Sequence, residues 1–552
     1  MALRWKEIRR IGRSAYVYYP DIPNRTAYKV ASVTVVREER SRESVERLAC
    51  EKKLILCFPN PEEGGWRWQG GAGTEADLEA LCTFQDELAH VDDQPMELNA
   101  KGIPTYEAMM STWHPMNDTK YVVGIGAGGS MAAVLAAQRP WYVPAVYLQG
   151  AELTECVRRQ AMGAAVPAWL DGCSAEVEAY FLCANEIDGS ACGAVRVNKR
   201  NPSQRVILEA GQDEAAHVPW ERVWEELFCI TRRMNTCQCG DCCDRTDLQD
   251  PGFTWFVDDD RIDGRPHTWL VHVPSSVQSD GAKRVPIVFF YHGGSDNPAE
   301  AAEMSRFHEV GEREGFITVY PWGTNRASWN MELEPGQEDD LAFCRALILY
   351  MIEHYPVDPS RVYLSGFSNG AGMAQTVAMV YPELVAALGH IDSNWPGTRS
   401  GFSEVDYQKV EPMRIALEKK KTFDYRMPVW YTYGTREVSS PVYRGCTQQH
   451  QYDFWKLYNH IPVKETPARQ DPALPEHGVD GDVSEVLRPD ERYPAQYYTV
   501  QRFFSDDPVP QNLYNFALMH HKGHEVATGD AWLAWEYLKQ YRRNEDGTVG
   551  RV

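Results

Sequence analysis

Residues 366–370 read Gly-Phe-Ser-Asn-Gly, a G-x-S-x-G sequence between the strand-like run RVYLS and the helix-like run AGMAQTVAMV. That context predicts a sharp strand-to-helix turn presenting Ser368 as a nucleophile. The flanking glycines let strand and helix approach closely, and the helix N-terminus favours developing negative charge. An attacking serine also needs oxyanion donors, a base and an acid that orients the base. His292-Gly293-Gly294-Ser295 ends an upstream strand and is the expected donor turn. The expected donors are the backbone N–H groups of Gly294 and Asn369, with Ser295 replacing Gly294 if the register is off by one. The base should come last in the chain. MHHKGHEV offers His520, His521 and His524. His524 follows a glycine and lies just before the final helix, so it is the expected base, with His521 next. The acid is expected after the strand MPVWYTYG, at Glu437, with Asp392 and Asp424 as its rivals. Trp322, Trp329, Trp395 and His521 are candidate substrate contacts near the mouth. For each tryptophan, packing under loops is an equal alternative.

The elements that must position these residues alternate between strand and helix, the pattern of a mostly parallel sheet flanked by helices. VPIVFFYHGG starting at Val285 reads as a buried strand running into glycines. A helical segment near Ala299–Glu314, a strand at Phe316–Tyr320 and a helix near Asp339–His354 follow it. Next come the strand Val362–Leu364, the sharp turn, and a helix from about Ala371 to Val380. Residues 465–510, rich in Pro, Asp and Gly, are too long for an ordinary connection and read as an insertion or a lid-like flap. The Cys-rich run 241–253 reads as a linker, dividing the chain into 1–240 and 254–552.

From about Val285 to Pro396 the chain resembles the poly(3-hydroxybutyrate) depolymerase and feruloyl esterase group of α/β-hydrolases. The pieces that carry this are FFYHGGS, VYPWGTN with WN after it, the run DDLAFCRALILYMIEHYPVDPSRVYLSGFSNGAGMA, and later PVWYTYGTRE and KGHEV. The resemblance extends from 285 to about 540. It implies an α/β-hydrolase fold, with Ser368 as nucleophile, His524 as base and Glu437 as acid, and needs neither metal nor organic cofactor. Glutamate for the usual aspartate and the long insertion before the histidine are departures that bear on the substrate.

The first half reads as a second α/β-hydrolase-like domain without catalysis. Tyr121–Pro140 aligns without gaps on Tyr363–Pro382, which puts Gly126 on Ser368, 242 residues apart. Pro167-Ala168-Trp169 matches Pro428-Val429-Trp430, and Glu176 matches Glu437. His217 precedes a Trp-rich helix ending in Arg232-Arg233, as His524 precedes one ending in Arg542-Arg543. The strand KKLILCF ends in Pro59-Asn60-Pro61, where the second half is expected to carry His-Gly-Gly. A dinucleotide-binding G-x-G-x-x-G at Gly124, Gly126 and Gly129 is the rival. Its acid, about 20 positions on, would fall near Tyr147, and the parallel with 363–382 accounts for more residues. Cys237, Cys239, Cys242 and Cys243 lack a nearby second ligand pair, which favours packed thiols over zinc.

The 552 residues carry a net charge of −22, which argues against nucleic acid as a partner. No run approaches the roughly 18 apolar residues of a membrane span, and the charged start reads as no signal peptide. The expectation is a cytoplasmic protein with no membrane partner, and a homo-oligomer is allowed. The function expected is hydrolysis of a hydroxyacid, feruloyl, acetyl or small xenobiotic ester through an acyl-enzyme. The alternatives are a serine peptidase or amidase of the same fold and a non-enzymatic binding scaffold.

Overall fold

The computed structural model describes residues 4–552 apart from 21–28, 38–42, 89–113, 189–192, 212–217, 235, 238, 280–282, 325–327, 394–395, 397–406, 438–446 and 464–480. It divides into two compact units, Met1–Arg245 and Thr246–Val552.

The first unit is built on a nine-stranded sheet. Its strands are β1 (Arg4–Arg10), β2 (Arg13–Tyr19), β3 (Lys29–Val36), β4 (Ile55–Pro59), β5 (His114–Ile125), β6 (Val146–Gln149), β7 (Ala168–Asp171), β8 (Val195–Val197) and β9 (Arg205–Glu209). Their spatial order is β1-β2-β4-β3-β5-β6-β7-β9-β8. The run from β4 to β9 is parallel, with antiparallel strands at both edges. A hairpin of β10 (Thr231–Met234) and β11 (Asp241–Asp244) closes the unit. The start of the expected linker is therefore ordered strand. Cys242 and Cys243 are buried in it, and the Cys242 sulfur accepts a hydrogen bond from Arg233 Nη2 at 2.9 Å.

The second unit is built on ten strands. They are β12 (Phe253–Asp259), β13 (His267–His272), β14 (Val285–Tyr291), β15 (Ile317–Pro321), β16 (Val357–Phe367), β17 (Ala387–Ile391), β18 (Val429–Gly434), β19 (Val483–Leu487), β20 (Tyr498–Phe504) and β21 (Asn512–Met519). The order is β12-β13-β15-β14-β16-β17-β18-β21-β20-β19. The strand β14 is buried at every position, as an apolar run covered on both faces of a parallel sheet must be. The expected helix at 299–314 is two helices, Pro298–Ser305 and Phe307–Glu314, broken where Arg306 turns left-handed at φ 55°. Of the expected insertion or flap, the part up to 480 lies outside the described residues, and the part beyond 480 supplies β19 and β20, which extend the sheet edge. A hairpin of β22 (Tyr541–Arg543) and β23 (Val549–Arg551) ends the unit. Among the described residues no helix is long and apolar enough to cross a membrane.

Strand for strand the two orders coincide, with β19 added at one edge. The interior contacts coincide as well. Tyr121 donates its hydroxyl to the Thr231 carbonyl and Tyr363 donates to that of Tyr541. Arg233 donates to the carbonyls of Val143 and Ala165, and Arg543 donates to those of Val385 and Arg426. These carbonyl pairs stand at the same sequence offsets that align Gly126 with Ser368 and Trp169 with Trp430.

The shared order corrects one expected match. Val36 pairs with Gly124 as Tyr291 pairs with Gly366, so β3 is the counterpart of β14. The strand ending at Pro59 is β4, the counterpart of β15. The counterpart of the His-Gly-Gly turn therefore begins at Arg37, and Glu39 stands at the Gly294 position, outside the described residues.

Candidate active site

The turn that carries Ser368 is made by the end of β16 running into the helix Ser368–Val380. Ser368 sits at φ 50°, a left-handed backbone that a serine adopts only where its surroundings impose it. The glycines impose it here. A Cβ built on Gly366 would lie 2.7 Å from the Gly370 backbone, and one on Gly370 would lie 2.2 Å from the carbonyl oxygens of Tyr291 and His292. The helix is buried along nearly its whole length, which fixes its N-terminus at the sheet edge. In the first unit Gly126 occupies this junction at φ 58°.

The structure brings Ser368, His524 and Glu437 together. The Ser368 hydroxyl lies 3.0 Å from His524 Nε2, and His524 Nδ1 is hydrogen-bonded to Glu437 Oε2. With Nδ1–H donating to the carboxylate, Nε2 is left to accept from the serine. Glu437 is buried and its carboxylate faces the ring. Two hydrogen bonds hold the acid turn against the histidine loop: His521 N–H to Thr435 Oγ1 at 2.8 Å and Arg436 N–H to the Lys522 carbonyl at 2.9 Å. Burial acts to lower the pKa of His524. The hydrogen bond to Glu437 and the charges of Asp392 and Glu437 outweigh it, and the pKa is raised. The Phe367 ring packs on the imidazole, centroids 4.7 Å apart.

Gly294 and Asn369 lie side by side: a Cβ built on Gly294 would stand 4.0 Å from that of Asn369. Asn369 is in the first turn of its helix, where backbone N–H groups have no intrahelical acceptor. Ser295, next along, is left-handed at φ 68°.

Trp329 packs under the site: it is buried, its backbone N–H donates to Asn369 Oδ1 at 2.7 Å, and its indole N–H donates to the His292 carbonyl at 3.0 Å. It thus ties the two turns that carry the oxyanion candidates. His292, also buried, accepts the Gly323 N–H on Nε2 at 3.0 Å. Trp322 is half-buried, with its backbone N–H on the Thr268 carbonyl. Trp395 lies outside the described residues, as does His217. His521 is exposed beside the loop that carries His524. His520 stacks on Tyr497 and its Nε2 is hydrogen-bonded to Thr499 Oγ1. Of the rival acids, Asp424 pairs with Lys420, Arg426 and His460 instead. Asp392 is close: one ligand atom from each of Asp392, Glu437 and His524 lies within 4.8 Å of the others.

Residues 272–411 match the family model described as esterase PHB depolymerase. The match includes Gly294, Ser368 and Asn369 and stops short of Glu437 and His524. Poly(3-hydroxyalkanoate) depolymerase C of Paucimonas lemoignei is 31% identical over 127 residues, covering 22% of this chain and 30% of that protein. Feruloyl esterase B of Talaromyces funiculosus is 28% identical over 123 residues, covering 21% and 33%. An acetylxylan esterase of Coprinopsis cinerea is 29% identical over 197 residues, covering 31% and 50%. The chain thus spans half or less of the length of these curated relatives.

Proposed function

We propose that the second unit, which carries the PHB depolymerase esterase segment at residues 272–411, is a serine carboxylic-ester hydrolase. The observation that carries this is the hydrogen-bonded chain from Ser368 through His524 to Glu437. His524 Nε2 takes the Ser368 proton as Oγ attacks the ester carbonyl, and the N–H groups of Gly294 and Asn369 hold the oxyanion. Glu437 keeps the imidazole in the Nδ1–H tautomer and stabilises its charged form. The imidazolium then returns the proton to the departing alcohol, and water activated by the same nitrogen releases the acid. The names of the relatives point to hydroxyalkanoate, feruloyl and acetyl esters as the substrate class. The first unit, with Gly126 at the nucleophile position, is a non-catalytic copy.

A fluorophosphonate probe should label the full chain at Ser368 and nowhere in the first unit. A panel of p-nitrophenyl esters set against aminoacyl anilides should show turnover of the esters. Ser368→Ala should abolish both labelling and turnover, a loss on the order of 10⁶-fold for a triad nucleophile. Retention of more than a few per cent of activity removes Ser368 from the mechanism, and preference for the anilides makes the protein an amidase.

A further inference from the structure

Behind the His524–Glu437 pair stands a carboxylate that the mechanism above does not use. Asp392 follows β17, the strand between the one that carries Ser368 and the one that leads to Glu437. Its Oδ1 accepts the Gly434 N–H at 3.0 Å, and its Oδ2 accepts the Glu525 N–H at 3.2 Å, one residue beyond His524. The same Oδ2 pairs with Lys522 Nζ at 3.0 Å, and Lys522 also reaches Asp530 Oδ2 at 3.2 Å. All three side chains of this ion cluster are out of contact with water. The cluster therefore grips the histidine loop at both ends and borders the imidazole.

Two features say that Asp392 does more than hold a loop. The first is charge. Among the described residues, Asp392 and Asp530 share the Lys522 ammonium, and Asp392 and Glu437 each bring a carboxylate oxygen within 4.8 Å of a His524 ring nitrogen, in surroundings where unbalanced charge is costly. An imidazolium at His524 supplies the second cation. The second is backbone. Gln149 of β6 and Ile391 of β17 pair alike, with Ile125 and with Phe367, so the counterpart of Asp392 is Gly150. The N–H of each donates to the next strand, Gly150 to Asp171 and Asp392 to Thr432, both at 2.9 Å. Both are left-handed, at φ 60° and φ 39°. The unit with Gly126 at the Ser368 position uses glycine here, while the unit with Ser368 accepts a strained aspartate.

We propose that Asp392 is a positioning residue for His524 that also serves as a second anion for its imidazolium, sharing with Glu437 the charge that appears when Ser368 gives up its proton. This rests on the serine-esterase reading. Among the described residues, the titratable groups facing Asp392 are Lys522 and His524 from the loop after β21, Glu437 from the turn after β18 and Tyr431 from β18 itself, with Asp530 of the final helix behind Lys522. Burial lifts the Asp392 carboxyl to about 6, with Glu437 adding to the rise, against the lowering effect of Lys522 and His524.

The test is the pH dependence of the rate at which a fluorophosphonate labels Ser368 in the full chain, since the reaction needs neutral His524 and no known substrate. Removing the anion lowers the pKa of His524. In Asp392→Asn the acid limb should move down by about one pH unit, and the plateau rate should fall a few-fold because the base is weaker. Asp392→Gly suits the left-handed backbone and should give the same shift, which keeps the inference testable if the amide variant misfolds. Asp530→Asn disturbs the same lysine away from the imidazole and should leave the limb in place. A limb unmoved in both Asp392 variants, or moved equally in Asp530→Asn, overturns the inference while the triad stands. No labelling of Ser368 in the unsubstituted protein overturns the esterase reading and this inference together.

Discussion

At Glu437 the question is what its charge contributes beyond geometry. Glu437→Gln keeps the shape of the side chain, but its amide can present N–H to His524 Nδ1 and stabilise the wrong tautomer. Loss of a triad carboxylate charge costs about 10⁴-fold in kcat. A second carboxylate at Asp392 should make the loss here smaller, and the double variant Glu437→Gln/Asp392→Asn should lose more than either single one. Turnover of a p-nitrophenyl ester across the four proteins checks this. Equal rates for Glu437→Gln and the unsubstituted protein would rule out the acid assignment. The raised His524 pKa also predicts an acid limb of kcat/KM above the unperturbed imidazole value of about 6.5, because only the neutral ring can accept the serine proton.

At the scale of elements, the site depends on how closely the elbow helix sits on the strand beside it. Gly370 touches the end of β14 in the second unit as Gly128 touches the end of β3 in the first, where a Cβ would lie 2.2 Å from the Val36 carbonyl oxygen. Alanine at either position pushes helix and strand apart, and overpacking of this kind costs about 1–3 kcal/mol or more. Gly370→Ala should also move the His292–Ser295 turn and so lower the labelling rate of the molecules that remain folded. Gly128→Ala should destabilise its own unit without changing that rate. Thermal unfolding combined with labelling of the folded fraction separates the two, and equal effects on rate would contradict the placement of the donor turn.

At the scale of the whole molecule, the two units show one strand order with different residues at the reacting positions. The first unit has Gly126 for Ser368, Gly150 for Asp392 and Glu39 for Gly294. A Cβ on Gly126 would meet no atom within 4 Å, so serine is sterically admitted there. Gly126→Ser in a Ser368→Ala background should nonetheless take no fluorophosphonate, because Glu176, which aligns with Glu437, is exposed on the helix Ala175–Ala184 instead of buried against an imidazole, and a hydroxyl without an oriented base is no stronger a nucleophile than a free alcohol. Labelling of the substituted Gly126 position in that protein, read by peptide mass mapping, would show that the first unit retains a usable site.

The sequence by itself determined the alternation of strands and helices, the sharp turn at Ser368 and the candidates His524 and Glu437. These follow from local signals: a buried β-branched run, glycines that permit a tight junction, and a histidine ahead of the last helix. Only the tertiary structure decided which strand lies beside which. β3 and β4 both read as apolar strands followed by polar turns, and the sheet order depends on crossovers that no local pattern encodes. That is why Pro59-Asn60-Pro61 reads, in sequence alone, as the counterpart of the wrong turn. For Trp329 the sequence leaves ligand contact and packing as equal readings, and only the fold shows its indole donating to the His292 carbonyl. Asp392 and Glu437 read as rivals for one role, because spacing along the chain does not reveal that the ends of β17 and β18 converge on the same imidazole. Local periodicity selects elements, whereas convergence of side chains depends on strand adjacency and burial, which exist only once the sheet has formed.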